Sequence, residues 1–362
     1  MSAVDPSAER PHFIEMIRAE ASGYTNPIRN RNRSGSADYP DPDETRYVFT
    51  LFNGNRWLEI GGREPEPKML FGEFWHQGEL CILFADTNAG KSVLAVQIGD
   101  SITRRQQIGP FSLQAENGVV LYVDFELSAR QFHIRYSNAE GGYQFSDSFY
   151  RAQLNPETHM PADSKAHDRY IMAAITERIS QVKATVLIID NITCMRNGTE
   201  NSRVALALMK DLRDLKNEYK LSVLVLAHTP KRSPARPVTV DDLHGSKLLI
   251  NFADSAFAIG KSKTEPGIHY LKQVKQRSTA EKYGAANVCL CRITKPGNFL
   301  QFEFTGNGHE RDHLYRSTPQ DREHLAQQVA ELSAKGFGQR RISRELKIPL
   351  TTVNRLMQAL SS

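Results

Sequence analysis

The sequence predicts an α/β fold whose central part contains a mainly parallel sheet, followed by a small all-helical domain at the C-terminus. Two observations lead to this prediction. Between about residues 78 and 305, apolar runs alternate with helical stretches, which is the pattern of βαβ units. After a polar break, a compact tail contains three helical stretches separated by GFG and KIP.

The apolar runs mark the strands of the predicted sheet. The first four are separated by helical stretches, as parallel strands require, and the last ones follow one another closely, as antiparallel edge strands do. In chain order the runs are ELCILFA, GVVLYVDF, ATVLIIDNI, LSVLVLAH, SAFAIG, HYLKQVKQ, NVCLCRIT and FLQFEF.

The N-terminal part differs from the rest in composition and in its pattern of apolar residues. Residues 1–45 are polar, without apolar periodicity, and predict a flexible arm in which Arg29, Arg31 and Arg33 form a basic tether. The following stretch, YVFTLFNGNRWLEIGG, predicts a short hairpin with NGN as its turn. The predicted organisation is therefore an arm over 1–45, a central domain over 46–310 with its core at about 71–305, and a C-terminal domain over 317–362.

Composition indicates a folded cytoplasmic protein. Of the 362 residues, 40% are hydrophobic, yet no apolar stretch approaches the roughly 18 residues of a membrane helix. The N-terminus lacks the apolar segment of a signal peptide. The cysteines (Cys81, Cys194, Cys289 and Cys291) have no zinc or CxxC spacing and are predicted to be buried thiols. The net charge of +5 permits a polyanionic partner without requiring one.

The stretch ADTNAGKS lies between the first apolar run and a helical stretch, and it nearly matches the phosphate-binding pattern GxxxxGK[ST]. In such a loop, backbone N–H groups surround phosphates at a helix N-terminus. Gly90 permits close approach, Lys91 reaches the β- and γ-phosphates, and Ser92 ligates Mg²⁺. Ala85 replaces the first glycine, which weakens the match but leaves the phosphate contacts. The predicted site comprises Ala85, Asp86, Thr87, Asn88, Ala89, Gly90, Lys91, Ser92 and Val93; the alternative is an ordinary strand–loop–helix junction.

Carboxylates follow two later apolar runs, at the sheet edge where ligands bind in open α/β folds. Asp190 ends ATVLIID and can hold a magnesium-bound water beside Ser92. Glu126 follows GVVLYVDF and can orient and deprotonate an attacking water, whereas Asp124 is more simply a strand-end residue. The plainer alternatives are a turn-capping role for Asp190 and a solvated loop position for Glu126.

The order of these motifs, continuing with VLVLAHTPK, resembles the RecA-like P-loop ATPases, closest to RepA-type plasmid helicases, with DnaB-type helicases and KaiC-like ATPases further away. The resemblance covers about residues 71–305 and implies ATP and Mg²⁺ as ligands. It implies Glu126 as the catalytic base and His228 as a sensor of the γ-phosphate. It also implies that Lys275 and Arg277 reach the nucleotide of a neighbouring subunit in a homo-oligomeric ring of six. Without the resemblance, His228 is equally well a satisfied strand-end histidine, and Lys275 and Arg277 belong to a solvated strand face.

Two basic segments predict contact with nucleic acid, either single-stranded or duplex DNA. KRSPARP, with Lys231 and Arg232, lies where RecA-like folds place DNA-contacting loops, although a basic surface loop without a partner is as common. QRRISRELKIPLTTVNRLM resembles the helix-turn-helix of resolvase-like and sigma-region DNA binders. Its predicted contacts are Arg340, Arg341, Thr351, Thr352, Asn354 and Arg355, and Thr351 is also a candidate helix N-cap. A small helical bundle for protein contact is the alternative.

Two functions remain open at this point. One is an ATP-driven motor or switch on DNA, such as a plasmid or mobile-element replication helicase. The other is a non-translocating, KaiC-like regulatory ATPase whose C-terminal domain binds duplex DNA or a protein. An inactive nucleotide-binding module is disfavoured because Lys91, Ser92, Glu126 and Asp190 occur together.

Overall fold

A computed structural model describes residues 49–360, except for 117, 156, 160, 162–163, 193–201, 230–231, 244–246, 316–318 and 347. The chain divides into two compact units, Met1–Glu66 and Pro67–Ser362. The predicted arm over 1–45 lies outside the described residues. The division of the chain into an arm, a central domain and a C-terminal domain remains a prediction.

In the first unit, the segment predicted as a hairpin is a helix, α1 (Gly54–Arg63). The side-chain oxygen of Asn53 accepts a hydrogen bond from the Arg56 backbone N–H at 2.9 Å. Asn53 thereby satisfies one of the free N–H groups at the start of the helix. The hairpin prediction was wrong because asparagine and glycine favour helix N-caps as well as tight turns.

The second unit contains the sheet and the remaining helices. Its strands are β1 (Met69–Phe71), β2 (Trp75–His76), β3 (Leu80–Ala85), β4 (Val120–Asp124), β5 (Ser137–Asn138), β6 (Gly141–Gly142), β7 (Phe149–Gln153), β8 (Val186–Asp190), β9 (Ser222–His228), β10 (Ser255–Lys261), β11 (Ile268–Lys275), β12 (Val288–Thr294) and β13 (Gln301–Gly308). Its helices are α2 (Lys91–Arg104), α3 (Ala129–Arg135), α4 (Ser164–Val182), α5 (Ser202–Tyr219), α6 (Lys247–Phe252), α7 (Pro319–Ala334), α8 (Gln339–Glu345) and α9 (Leu350–Leu360), with 3₁₀ turns at Val240–Asp242 and Glu310–His313.

The central sheet has nine strands in the order β13-β12-β11-β10-β3-β9-β8-β4-β7. Neighbouring strands from β10 to β7 are parallel, and those from β10 to β13 are antiparallel. The predicted mixed α/β fold with a mainly parallel sheet is therefore confirmed. The edge strand β7 was not predicted, because FYRAQ is only partly buried and lacks the apolar run of a central strand.

Two apolar clusters cover the two faces of the sheet, and neighbouring residues of β3 contribute to different clusters. Leu83 packs in one cluster with Leu94 of α2. Ile82 packs in the other with Ile175 of α4 and Leu212 of α5. Because the central strands are buried on both faces, their sequences are continuous apolar runs.

Three helices, α7 to α9, end the chain and share a small core of Val329, Ile342 and Val353. The predicted breaks at GFG and KIP are confirmed. Thr351 is not the N-cap of α9, since the helix begins at Leu350 and the Val353 N–H bonds to the Pro349 carbonyl.

Cys81, Cys289 and Cys291 are buried free thiols, as predicted, while Cys194 lies outside the described residues. Within the described part of the chain, no helix is both long and apolar enough to cross a membrane.

Candidate functional site

The predicted phosphate loop connects β3 to α2. Ala85 is the last residue of β3 and pairs with His228 of β9 on one side and Ile259 of β10 on the other. Ala85 keeps a strand conformation, which any residue adopts, so the position does not require the glycine of the usual pattern. Asn88, within the loop, has a left-handed φ of 59°, which asparagine tolerates better than most residues.

Gly90 is the residue in the loop for which glycine is required. Its φ is 91°, and a Cβ there would lie 2.7 Å from Ile293 Cδ1 and 2.8 Å from Phe302 Cζ. The side chains of β12 and β13 therefore pack directly against the loop backbone. This packing and the left-handed conformation together explain why only glycine fits at this position.

Lys91, the first residue of α2, is buried, with 6% of its surface exposed. Its ammonium donates to the backbone carbonyls of Ala85 (3.1 Å) and Asp86 (3.4 Å) and lies 3.0 Å from His228 Nδ1. Burial lowers the pKa of Lys91, and the charges of nearby carboxylates, Asp190 first, oppose this effect. A charged ammonium has only donors, so Nδ1 of His228 is the acceptor and Nε2 carries the ring proton.

Glu126 lies on the other side of the His228 ring. His228 Nε2 is 3.1 Å from Glu126 Oε1, and Asn191 Nδ2 donates to the same oxygen. The hydrogen bond from His228 is the main cause that lowers the pKa of Glu126, so the group is a carboxylate at neutral pH. Lys91, His228, Glu126 and Asn191 thus form one hydrogen-bonded chain.

Asn191 was not predicted as a site residue. A polar residue directly after the strand that ends in Asp190 was the signal that could have identified it, since that position also lies at the ligand-binding edge.

Asp190 ends β8 and is almost completely buried. The Tyr122 hydroxyl donates to its Oδ2 at 2.5 Å, while Oδ1 is buried and has no hydrogen-bond partner among the described residues. Burial raises the pKa of Asp190 to about 6, although the nearby Ser92 hydroxyl lowers it. Ser92 therefore lies close to the carboxylate without making a well-oriented hydrogen bond to Oδ1.

This pair fits a hard divalent cation. A buried carboxylate oxygen without a partner, beside a hydroxyl at a helix start, matches the oxygen ligands that Mg²⁺ prefers, with phosphate and water supplying the rest. Across the described ranges, no group of three or more His, Cys, Asp or Glu could hold a metal by itself.

Asp124 holds the loop that carries Glu126. Its Oδ1 accepts the backbone N–H groups of Glu126 (3.0 Å) and Leu127 (2.8 Å), and its Oδ2 accepts Arg151 Nε at 2.9 Å. Both carboxylate oxygens of Asp124 therefore accept hydrogen bonds within the protein, as expected of a strand-end residue rather than of a general base.

Lys275 and Arg277 lie at the opposite end of the sheet from the phosphate loop of their own chain. Lys275 pairs with Ala256, which pairs with Ile82 near the start of β3, whereas the loop follows Ala85 at its end. The structure therefore does not bring these residues to the loop, and only a second copy of the chain could present them to this site.

In the chain itself, both side chains contact the end of α6. Lys275 Nζ donates to the Ile250 carbonyl, and Arg277 Nη2 donates to the Asn251 carbonyl at 2.9 Å. Arg277 Nη1 also lies 3.5 Å from Asp254 Oδ1. Cations at these carbonyls are favourable because they complement the negative end of the helix dipole.

The basic loop after β9 is only partly described, since Lys231 lies outside the described residues. Arg232 is half-buried, and its Nη1 donates to the Arg236 carbonyl at 2.8 Å. Its guanidinium is close enough to Tyr270 to lower the pKa of that hydroxyl, which burial raises. The side chain thus faces the protein more than solvent.

In the C-terminal helices, the predicted contacts separate into two groups. Arg340, Arg341, Thr351 and Arg355 are exposed, and the Arg341 guanidinium lies 3.7 Å from the Phe337 ring centroid. Thr352 and Asn354 are half-buried, and Asn354 Oδ1 is buried without a hydrogen-bond partner in the described part of the chain. The exposed face of α9 thus presents Thr351 and Arg355, one helical turn apart.

Comparison with protein families gives a match over the part of the chain that holds the site. No curated protein matches the chain. Residues 50–234 match the AAA domain family, and this range contains the loop, Glu126, Asp190, Asn191 and His228. Because the match spans more than half of the 362 residues and coincides with the site, the chain belongs to the AAA domain family, whose members are of the P-loop ATPase type.

Proposed function

We propose that the protein is an ATPase that hydrolyses Mg²⁺-bound ATP at this site. The hydrogen-bonded chain of Lys91, His228, Glu126 and Asn191 is the observation that carries the proposal. It connects the cation of the phosphate loop to a carboxylate at the distance and in the charge state that a general base requires.

In this mechanism, Glu126 orients the attacking water and accepts its proton, a contribution of about 10²–10⁴ in rate for general bases. Lys91 binds the β- and γ-phosphates, and the N–H groups of the loop and of the start of α2 surround them. Phosphate oxygens offer Lys91 acceptors that replace His228 Nδ1. His228 can then turn its Nε2–H from Glu126 to the γ-phosphate, so nucleotide binding changes the hydrogen bonds that hold Glu126.

Ser92 and Asp190 would hold Mg²⁺, with Asp190 acting directly or through a water. When bound, the ion neutralises charge on the β- and γ-phosphates. Asp190 would contribute its buried Oδ1, and the hydrogen bond from Tyr122 to Oδ2 fixes the orientation of the carboxylate.

We further infer that hydrolysis is coupled to DNA, as in ring-forming RepA- or DnaB-like helicases and mobile-element ATPases. The position of Lys275 and Arg277 at the far end of the sheet supports head-to-tail assembly, in which each subunit supplies these cations to its neighbour. The exposed Arg340, Arg341, Thr351 and Arg355 support contact of the C-terminal helices with DNA.

A KaiC-like regulatory ATPase that does not translocate is the second candidate. The inward position of Arg232 favours it, because this arginine is engaged by the Arg236 carbonyl and is less available to grip a single strand. In this case the C-terminal helices would recruit duplex DNA or a protein partner.

The first experiment measures ATP hydrolysis by the full-length protein alone, with single-stranded DNA and with duplex DNA, using Lys91→Ala as the inactive control. Hydrolysis that is stimulated by single strands, followed by unwinding of a forked duplex, is the result expected of a helicase. Hydrolysis that ignores DNA or responds only to duplex would favour the regulator. A wild-type protein that hydrolyses no more ATP than Lys91→Ala would overturn the ATPase proposal.

A further inference from the structure

Both strands that flank the phosphate-loop strand end in a side chain that can carry positive charge. The register places His228 of β9 beside Ala85, and Ile259 of β10 is the partner of Ala85 on the other side. Lys261, two residues after Ile259, is the last residue of β10. His228 already has a place in the proposed mechanism, and Lys261 has none.

Lys261 lies on the face of the sheet that α2 covers. Phe257 and Ile259 belong to the apolar cluster on that face, together with Ala89 of the loop and Val93 of α2. Side chains two positions apart on a strand lie on the same face, so Lys261 continues the row of Phe257 and Ile259 towards the loop.

The Lys261 ammonium has no partner in the described part of the chain. The side chain is half-buried, and among the described residues it makes no hydrogen bond and no ion pair. Its charge contributes to lowering the pKa of Lys91 and of His269, although burial is the main cause for each. Two lysines thus bring like charges near one loop, an arrangement that a bound polyanion would relieve.

The neighbouring strands form a wall on the same side. His269 is the cross-strand partner of Lys261, and its ring centroid lies 6.0 Å from that of Phe302. Phe302 in turn packs directly against Gly90. The strand order places this wall on the side of β3 opposite to β8, which ends in Asp190, and to β4, which leads into the loop of Glu126. A nucleotide whose γ-phosphate faces Glu126 therefore extends its α-phosphate and ribose towards Lys261.

We propose that Lys261 is a second phosphate-binding cation, supplied within the same subunit, that contacts the α- or β-phosphate of the bound nucleotide. This inference rests on the proposed nucleotide site. It gives Lys261 a role distinct from that of Lys275 and Arg277, which lie too far along the sheet to act on their own chain's nucleotide. If Lys261 were only a solvated lysine at a strand end, its replacement would leave nucleotide affinity unchanged.

The test titrates MgATP and MgADP into the full-length protein and into Lys261→Gln, Lys261→Arg and Lys263→Gln. Lys263 is an exposed lysine two residues further along the chain and serves as the matched control. Lys261→Gln is expected to bind both nucleotides roughly tenfold more weakly, the size of one lost hydrogen bond to a charged group. Lys261→Arg is expected to stay within about threefold of wild type, and Lys263→Gln to match it.

Wild-type affinity in Lys261→Gln would overturn the inference while leaving the proposed ATPase intact, whereas a wild-type protein that binds neither nucleotide would overturn both. Because the side chain is half-buried, Lys261→Met retains its apolar stem and replaces Lys261→Gln if that variant does not fold. A direct phosphate contact also predicts that Lys261→Gln weakens the salt dependence of binding, which a purely structural role would not change.

Discussion

The charged side chains at the two ends of the central sheet differ in how far they are paired within the chain. At the carboxyl end, Lys91 and Asp190 are both buried. Burial disfavours their charged forms, so it lowers the pKa of Lys91 and raises the pKa of Asp190. At the amino end, Asp254 accepts the Leu80 backbone N–H at 2.9 Å and Lys216 Nζ at 3.0 Å. Its other oxygen lies 3.5 Å from Arg277.

Glu79 extends this pattern at the amino end. Its carboxylate accepts the His76 backbone N–H at 3.0 Å and the hydroxyls of Ser255 and Ser278 at 2.8 and 2.5 Å. The carboxylates of Glu79 and Asp254 at the amino end are therefore paired within the chain, whereas the carboxyl end has an unpaired carboxylate oxygen and, close by, an unpaired lysine among the described residues. Buried charges without partners are costly, and their concentration at one end is typical of a ligand site.

Replacing Glu126, the proposed base at the carboxyl end, has the largest expected effect. In Glu126→Gln, ATP hydrolysis should fall by about 10²–10⁴ because the amide cannot accept a proton from water. Nucleotide affinity should stay close to that of wild type, since the phosphate loop is unchanged. Hydrolysis rates and nucleotide titrations on the same preparation check both parts. Normal hydrolysis in the variant would move the role of base to Asp124.

Replacing the arginine at the amino end tests whether that end acts on a second subunit. Arg277→Ala should lower hydrolysis by roughly 10²-fold or more, as for other arginines that stabilise phosphoryl transfer. The protein's stability should change little, because the pair with Asp254 is a surface ion pair.

A mixture of Arg277→Ala and Glu126→Gln subunits provides the decisive control. Each variant should be inactive alone, but in the proposed ring a mixture would contain interfaces with an intact Glu126 on one side and an intact Arg277 on the other. Recovery of activity on mixing supports action between subunits. A mixture as inactive as its components, although the two variants co-assemble, would contradict it.

The raised pKa of Asp190 predicts a pH-dependent stability of the ligand-free protein. Since the folded-state pKa of about 6 lies above the ordinary value of 3.8, the folded protein binds the proton more tightly than the unfolded chain. This contribution is fully favourable below about pH 4 and is lost as the pH rises through about 6. At pH 7 the difference corresponds to about 3 kcal/mol.

Asp190→Asn removes this titration. Without Mg²⁺ and nucleotide, its free energy of unfolding should equal or exceed that of wild type at pH 7, and the advantage should shrink at pH 5. Denaturant unfolding at both pH values measures it. An equal difference between the two proteins at both pH values would show that Asp190 does not titrate in this range.

The smallest expected effect concerns Asn191, which positions Glu126 and does not itself act on the substrate. In Asn191→Ala, hydrolysis should fall by about tenfold or less, corresponding to one hydrogen bond. The acidic limb of the pH–rate profile should move to higher pH, because the bond from Asn191 helps to lower the pKa of Glu126. A fall in rate with an unmoved limb would assign Asn191 a different role.

Local patterns in the sequence determined much of the fold and part of the site. Continuous apolar runs identified the central strands because these are buried on both faces. Residues at or just after the ends of β3, β4, β8 and β9 were candidates for the site because parallel strands bring their carboxyl ends together. Competing local signals were less informative. Asn53 begins a helix where a turn was predicted, and the half-buried β7 has no apolar run.

Which distant residues meet depends on the three-dimensional pairing of the strands. The strand register places Lys275 and Arg277 far from their own chain's phosphate loop and places Lys261 and His269 beside it. The fold also places His228, at the end of its strand, between Lys91 and Glu126, and its ring is hydrogen-bonded to both. Register and strand order depend on pairing between residues far apart in sequence, so no local pattern encodes them. Burial and strand ends, in contrast, can be recognised from the apolar pattern of each segment by itself.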